Sequence, residues 1–357
     1  MKIAIALGTR PEIIKMAPII RECIKRNLDF FIVHSGQHYS FNLDKIFFKE
    51  LELPEPKYNI NAGSGTHAEE TAKILVGMES IFLKEKPDVV LVQGDTNTTL
   101  SAALAAVKLH IKIGHVEAGL RSGNRFMPEE INRIIVDHIS DYLFAPTKES
   151  RENLIKEGIP NEKIFVTGNT IVDSVFQNLK IASKYDTLRK LSLESKRYIL
   201  VTLHRAENVD DKEKLESILK ALEIIKKDLN MDIVFPIHPR TKKRIKEFNI
   251  DIEKFGFKIM EPVGFLDFLN LEKNAKLIIT DSGGIQEEAC ILKVPCVTVR
   301  EETERPETVE VGANKLSGTN TTSVVSTVKT MLESTTNWEI PFGNGSSGIK
   351  IVNLIMQ

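Results

Sequence analysis

Cysteine is scarce in this chain. The 357 residues hold three, Cys23, Cys290 and Cys296, with no CxxC pair and no histidine at metal-ligand spacing. That excludes a disulfide framework and a zinc cluster and fits free thiols in a reducing compartment. An excess of one charge is also missing. Lys and Arg number 48 against 49 Asp and Glu, for a net charge of -1, so bulk electrostatics gives no reason to expect a nucleic-acid partner. No apolar run nears the ~20 residues of a membrane-spanning helix. The opening MKIAIALGTRPE is too short an apolar run for a signal peptide and is followed by no small-residue cleavage site. The expectation is a soluble, cytoplasmic protein without a membrane partner. Two nucleotide signatures are absent as well. Neither the dinucleotide fingerprint GxGxxG nor the Walker loop GxxxxGK[ST] occurs.

What is present is a globular composition, 42% hydrophobic and 27% charged, carried by short β-prone apolar runs that alternate with helical periodicity. Strands are predicted at Ile3 to Leu7, Phe30 to His34, Val89 to Val92 and Ile113 to Val116. Helices are predicted from Pro11 to Arg26, His67 to Lys84, Leu100 to Leu109 and Pro128 to Leu143. The pattern restarts at Tyr198 to Leu203 and runs on through strands at Ile233 to Pro236, Phe257 to Met260, Leu277 to Thr280 and Val294 to Val299. Runs that are apolar throughout, rather than alternating, signal strands buried on both faces of a parallel sheet. The fold class is therefore α/β, with two doubly wound, Rossmann-like domains. The first spans 1–168. The second spans 169–344. A short apolar helix within 345–357 follows the Gly/Ser-rich GNGSSG, and its pattern alone allows it to pack on either domain.

Chemistry-bearing residues gather just after the predicted strands, where open α/β sheets bind ligands. GTRPEIIK, from Gly8 to Lys15, places Arg10 and Lys15 near a helix start that already favours anions; both also read as surface charges. In VQGDTNTT, Asp95 follows a buried strand and also reads as a helix cap. The segment HVEAGLRSGNRFMPEEINRIIVD, from His115 to Asp137, sets Glu117 after a strand and Glu129 and Glu130 in the first turn of a helix. In TLHRAEN, His204 follows the first strand of the second half, and His238 in PIHPR repeats that placement. DSGGIQEEA puts Ser282, Gly283 and Gly284 at a helix start, where small residues let a phosphate approach bare N–H groups. Glu287 and Glu288 in the next turn offer a carboxylate to a ribose. TERPET adds Arg305. Cations and small residues of both halves at carboxyl strand ends predict an anionic ligand in a cleft between the domains, a nucleoside diphosphate held with no metal and no cofactor.

The motifs GTRPEIIKMAP, GDTNTT, HVEAGLRS, PEEINR, GNTIVD, HRAEN, DSGGIQEE and TERPET, in this order, resemble those of the non-hydrolysing UDP-N-acetylglucosamine 2-epimerases. The likeness runs from Met1 to about Gly318 and returns in the terminal helix. It implies the glycosyltransferase-B architecture, a terminal helix that crosses back to the first domain, an active site between the domains, and a homodimer. It implies interconversion of UDP-GlcNAc and UDP-ManNAc through loss of UDP to 2-acetamidoglucal and its re-addition. By the same resemblance, Asp95, Glu117, Glu129 and His204 serve catalysis, with the division of labour at the two faces of C2 left open. Arg10, Lys15, Ser282, Gly283, Gly284 and Arg305 hold the diphosphate, Glu288 the ribose, and the segment from Val263 to Phe268 lies by the uracil. Glu130 is read as a helix-start residue.

Two features depart from the family pattern. An allosteric QHR-type motif reads GQHYSFN here, which keeps Gln37 and His38 but has Tyr39 in place of Arg. The accompanying loop reads NAGSGTH. The competing readings are a 2-epimerase of a modified sugar such as a UDP-diacetamido-uronate, a retaining glycosyltransferase on the same fold, and a non-catalytic UDP-sugar sensor.

Overall fold

Strand β1 (Lys2–Leu7) is buried from its second residue onward, and β4 (Val89–Gln93) along its whole length. Such strands need helices on both faces, and the computed structural model, which describes residues 1–36 and 47–357, provides them. Ala4, Ala6, Val90 and Val92 pack against Ile74, Met78 and Phe82 of the helix His67–Glu85 and against Ala102, Ala103 and Ala106 of the helix Asn97–Lys108. With β2 (Asp29–His34), β3 (Tyr58–Asn59), β5 (Lys112–Val116), β6 (Tyr142–Ala145) and β7 (Ile164–Val166), they form a seven-stranded parallel sheet in the order β3-β2-β1-β4-β5-β6-β7.

A second sheet repeats that winding. It holds β8 (Tyr198–Thr202), β9 (Asp232–Pro236), β10 (Lys258–Met260), β11 (Leu277–Thr280), β12 (Cys296–Thr298) and β13 (Asn314–Leu316) in the order β10-β9-β8-β11-β12-β13. Ile199, Val201, Phe235, Ile279 and Val297 bury one face against Leu215, Ile218, Leu222 and Ile225 of the helix Lys212–Leu229. In each sheet the strand order reverses once, between β1 and β4 and between β8 and β11. Loops leaving the carboxyl ends of those strands diverge there and leave a crevice, the usual ligand position in open α/β sheets.

Contacts divide the chain into two units, Met1–Gln177 with Phe342–Gln357, and Asn178–Pro341. The chain passes from the first to the second within the helix Thr170–Ala182. The terminal helix Ser347–Ile355 belongs to the first unit. The N–H groups of Ser347 and Gly348 donate to Asp173 at 3.1 and 3.0 Å. Gly348 lies so close to the helix Arg10–Lys25 that a Cβ on it would come within 3.1 Å of the Pro18 carbonyl carbon.

One predicted helix is shorter than expected. Apolar periodicity extends it from Pro128 to Leu143, but the helix stops at Ile139. Ser140 turns to extended backbone, and its hydroxyl donates to the Val136 carbonyl at 2.7 Å. Asp141 accepts the Ile113 N–H at 3.0 Å and draws the chain onto β5, so Tyr142 and Leu143 are strand residues of β6. Short apolar runs fit either period, and tertiary pairing decides between them. Among the described residues, no helix is long and apolar enough to cross a membrane.

Candidate active site

In the first unit the crevice between β1 and β4 is filled by side chains. Gly8 follows β1, and a Cβ there would lie 2.0 Å from Ser35 Oγ and 2.4 Å from Thr98 Oγ1. Those two buried hydroxyls bond each other at 2.8 Å across the glycine. The next turn opens the helix Arg10–Lys25. Arg10 is exposed, with its guanidinium over the Phe47 ring at 5.8 Å from the centroid.

Lys15, expected at a diphosphate, is paired here with a carboxylate. Its Nζ lies 2.7 Å from both oxygens of Glu117. Glu117 follows β5 with a φ of +73°, a conformation a non-glycine residue adopts at a cost of roughly 1–3 kcal/mol. The surroundings hold it there. Its carboxylate also accepts from Gln93 Nε2 and, at 3.2 Å, from Asn169 Nδ2, and its N–H donates to the Phe144 carbonyl at 3.1 Å. Two residues on, Gly119 has a φ of +81°, and a Cβ there would sit 2.2 Å from the Ser150 carbonyl oxygen. Glycine is required at that turn on both counts.

Asp95 follows β4 and is paired with Arg133, whose Nε donates to it at 2.9 Å. Asn132 donates to the Asp95 carbonyl at 2.8 Å. Both come from the helix Pro128–Ile139, which begins with Pro128 and the half-buried Glu129. Asp95 and Glu129 are thus linked through one helix. Glu130 is buried and accepts the N–H groups of Ser122 and Gly123 at 3.0 Å each, which fastens the loop before the helix. This fits the helix-start reading of Glu130 and sets it apart from Glu129.

A buried dyad supports the Asp95 turn from below. His115 Nδ1 meets Asp137 Oδ1 at 2.7 Å, and His115 Nε2 meets the Gly94 carbonyl at 2.8 Å. The ring is thereby held at both nitrogens. Burial alone would raise the Asp137 carboxyl, but the charges and hydrogen bonds of His115 and Arg121 outweigh it and hold that carboxyl below its ordinary value. Asp137 also receives the Gly119 N–H at 3.1 Å, so one carboxylate braces the turn carrying Glu117 and the ring that braces Asp95.

In the second unit the corresponding crevice, between β8 and β11, is organised by Asp281. Fully buried, it accepts the N–H groups of His204 and Arg205 and the His204 ring Nδ1, each at 3.0 Å. Burial would raise its pKa, but the His204 hydrogen bond and charge and the two backbone donors bring it below the ordinary value. His204 is thereby fixed through Nδ1, with its ring 5.5 Å from that of His238.

The helix Gly283–Ile291 starts next to that carboxylate. At Gly284 a Cβ would meet nothing within 4 Å. Packing within the chain does not ask for glycine there, and an isolated helix would favour alanine. Bare N–H groups at an open helix start are a place where an anion can approach closely. Arg305 is drawn to the same helix by Glu287, Nε to carboxylate 3.0 Å. Arg205 and Arg300 converge on Glu304, whose carboxyl would be raised by burial but is brought down to about 2, chiefly by Arg300. Val263 and Phe268 lie at the edge of an apolar cluster around Leu200, Leu271 and Ala289. Glu288 is half-buried beside Glu272. Burial and then the Glu288 charge push Glu272 well above the carboxylate range.

Gln37 and His38 lie outside the described residues. Among those that are described, no group of three or more His, Cys, Asp and Glu is placed to hold a metal ion. Several partners emerge only in three dimensions. Asn169, Arg133 and Asp281 lie inside quoted motifs yet have no role that spacing could assign, and Gln93 reads as the last residue of a strand. Glu272 left no signal, since an acid in an amphipathic helix reads as a solvated one.

The comparisons can now be set against this geometry. A family model described as UDP-N-acetylglucosamine 2-epimerase matches residues 21–356. The chain is 60% identical to the UDP-N-acetylglucosamine 2-epimerase of Methanocaldococcus jannaschii, over 99% of both chains. It is 41% identical, over the full length of both, to the UDP-2,3-diacetamido-2,3-dideoxy-D-glucuronate 2-epimerase of Pseudomonas aeruginosa. The crystal structure of the Methanocaldococcus jannaschii UDP-GlcNAc 2-epimerase in complex with UDP-GlcNAc and UDP aligns with a TM-score of 0.87, over 100% of this chain and 99% of that one. On this identity, coverage and pair of Rossmann-like sheets, the chain belongs to the UDP-N-acetylglucosamine 2-epimerase family of enzymes.

Proposed function

We propose that this enzyme interconverts UDP-GlcNAc and UDP-ManNAc by eliminating UDP to 2-acetamidoglucal and adding it back, without net hydrolysis. The C2 proton is not α to a carbonyl, so direct removal is hard. Loss of UDP first gives oxocarbenium character at C1 and acidifies C2–H. Proton delivery to the other face and return of UDP complete the inversion.

Each unit supplies one part of this chemistry. In the second, the Ser282 side chain, the bare N–H groups of Gly283 and Gly284 and the cation Arg305 stabilise the departing diphosphate, with electrostatics set in advance and in place of solvent. Glu288 takes the ribose, Val263 and Phe268 flank the base, and His204, held at Nδ1 by Asp281, presents its Nε2 edge. In the first, Asp95, Glu117 and Glu129 are the proton-handling carboxylates, and Arg10 adds charge for the diphosphate. Lys15 acts by orienting Glu117. The observation that carries the reading is Glu117. It sits in a strained conformation with Lys15, Gln93 and Asn169 on its two oxygens. A carboxylate fixed so closely, at the end of a buried strand, is built to meet one atom in one geometry.

The test is incubation with UDP-GlcNAc in deuterated water, followed at C2 by NMR. Solvent deuterium at C2 with a mixture of gluco and manno sugars is the expected result. Free ManNAc would replace the reading by hydrolysis, and no exchange at saturating sugar would remove UDP-GlcNAc as substrate. The Pseudomonas aeruginosa relative favours a second reading, with a UDP-diacetamido-uronate as substrate, which exchange on that sugar alone would select. The homodimer and cytoplasmic setting go with the same proposal, and sedimentation velocity tests the first.

A further inference from the structure

Glu12 has no place in the chemistry just described, yet it is 1% exposed and stands in the crevice between β1 and β4. Its two oxygens face different ways. Oε2 accepts the Gly8 N–H at 3.0 Å and the Thr9 hydroxyl at 2.7 Å, both on the loop that leads to Arg10 and Lys15. Oε1 accepts the Thr96 hydroxyl at 2.8 Å and lies 3.3 Å from the Thr99 hydroxyl, both on the side of Asp95. Thr99 has a nearer acceptor in the Gln93 carbonyl at 2.7 Å, so Thr96 makes the stronger bond to Glu12. The Thr96 oxygen also receives the Thr99 N–H at 3.2 Å as the cap of the helix Asn97–Lys108. Its lone pair and its proton are therefore both committed, and Asp95 is the residue immediately before it.

All of these partners donate. A carboxylate satisfies them as they stand, whereas a carboxylic acid or an amide brings a hydrogen that one of the hydroxyls can accept only by turning its own proton away from Glu12, which breaks part of the clamp. The second unit uses the same device from the opposite strand. Asp281, after β11, accepts from the loop after β8.

We propose that Glu12 is a positioning residue for the reaction, whose carboxylate sets the Asp95 loop in register with the loop of Arg10 and Lys15. The proposal rests on the assignment of Asp95 to C2 chemistry. It adds a pH dependence. Burial pushes the Glu12 carboxyl up to about 7, against the lowering effect of the Thr9, Thr96 and Gly8 donors. The groups that face it are the hydroxyls of Thr9, Thr96 and Thr99 and the Gly8 amide. The charged side chains of the adjoining turns are Arg10 and Asp95. The clamp is intact above that value and is lost as protons add below it.

The test uses the full chain and UDP-GlcNAc. Glu12→Gln is expected to lower the rate of C2 deuterium exchange by roughly 10- to 100-fold, the scale of a sub-ångström to 1 Å misplacement. UDP affinity, read by calorimetry, is expected to stay within about twofold; the wild type is expected to lose rate as pH falls through 7, and Glu12→Gln is expected not to show that fall. If Glu12→Gln does not fold, Thr96 tests the same bond from its other end. Thr96→Ser should keep the rate, and Thr96→Val should lose it. A Glu12→Gln enzyme with the wild-type rate and pH profile, or a Thr96→Val enzyme with the wild-type rate, overturns the proposal. Asp95→Asn is run alongside. If it is inactive while Glu12→Gln is normal, only the role of Glu12 falls. If it turns over fully, the assignment of Asp95 falls and this proposal with it.

Discussion

The two crevices of this enzyme are built on one winding order and are finished in opposite ways. Each is tied by a buried carboxylate that accepts from the loop across the strand reversal, Glu12 in one unit and Asp281 in the other. Glu12 receives only hydroxyls and an amide, and burial wins, so its carboxyl rises to about 7. Asp281 receives a histidine ring as well as amides, and its carboxyl falls below the ordinary value although it too is buried. Hydroxyls and an amide soften the cost of burying Glu12, and the added histidine ring reverses that cost at Asp281. The surroundings differ in the same sense. The first crevice is packed, with Gly8 roofed by two hydroxyls, whereas at Gly284 of the second a side chain would meet nothing. On the proposed function, one is dressed for chemistry at fixed carboxylates and the other for gripping an anion.

That contrast is most exposed to failure in catalysis. Glu117→Gln and Asp95→Asn should each lower C2 exchange by roughly 10²–10⁴-fold, the range of a positioned acid–base group. Both should still bind UDP, whose proposed ligands lie mainly in the other unit. Weak UDP binding by both variants would show the division to be false. The glycines give the next largest effect. Gly8→Ala should cost about 1–3 kcal/mol in a denaturant melt, because its new methyl collides with Ser35 and Thr98. Gly284→Ala should leave stability unchanged or raise it by up to ~1 kcal/mol while weakening UDP binding roughly tenfold through lost amide hydrogen bonds. Equal losses of stability in the two variants would contradict the packed and open descriptions.

The smallest effect lies in the pH dependence of stability. Glu12 rises from an ordinary 4.5 to about 7 on folding. Its contribution is fully present below pH 4.5 and is lost as pH rises through 7, since the unfolded chain releases that proton first. Asp281 has the opposite sign. Its folded value lies below 3.8, so its contribution is present above 3.8 and lost as pH falls through the lower folded value. Chemical denaturation across pH 4–8 should therefore show a shallower decline toward high pH in Glu12→Gln than in the wild type. An unchanged slope would mean that Glu12 titrates alike in both states.

The plan of the fold was legible because parallel strands buried on both faces write unbroken apolar runs, and strands such as β1, β4, β8 and β11 did so plainly. Residues at their carboxyl ends could be picked out for the same reason. Tertiary pairing hid the rest. The run Tyr142 and Leu143 carries no mark that distinguishes a strand from the end of a helix, and only Asp141 on the Ile113 amide settles it. Lys15 could be picked out near a helix start, but its pairing with a carboxylate 102 residues away in the chain could not be read from spacing. Glu12 lies inside a recognised motif, but its function depends on two hydroxyls from another loop, and nothing local announces them.

The helix Ser347–Ile355, bound to Asp173 and seated on Pro18, gives the molecule an order of assembly. A ribosome makes residues 1–177, then the whole of the second unit, and only then the segment that covers the first helix. The second unit is continuous and can close on itself as it emerges. The first has to wait, with the bed of that helix open, through the synthesis of more than 160 residues, which at ~5–20 residues per second is roughly ten to thirty seconds. The half that carries Asp95, Glu117 and Glu129 is therefore finished after the half that follows it in the chain.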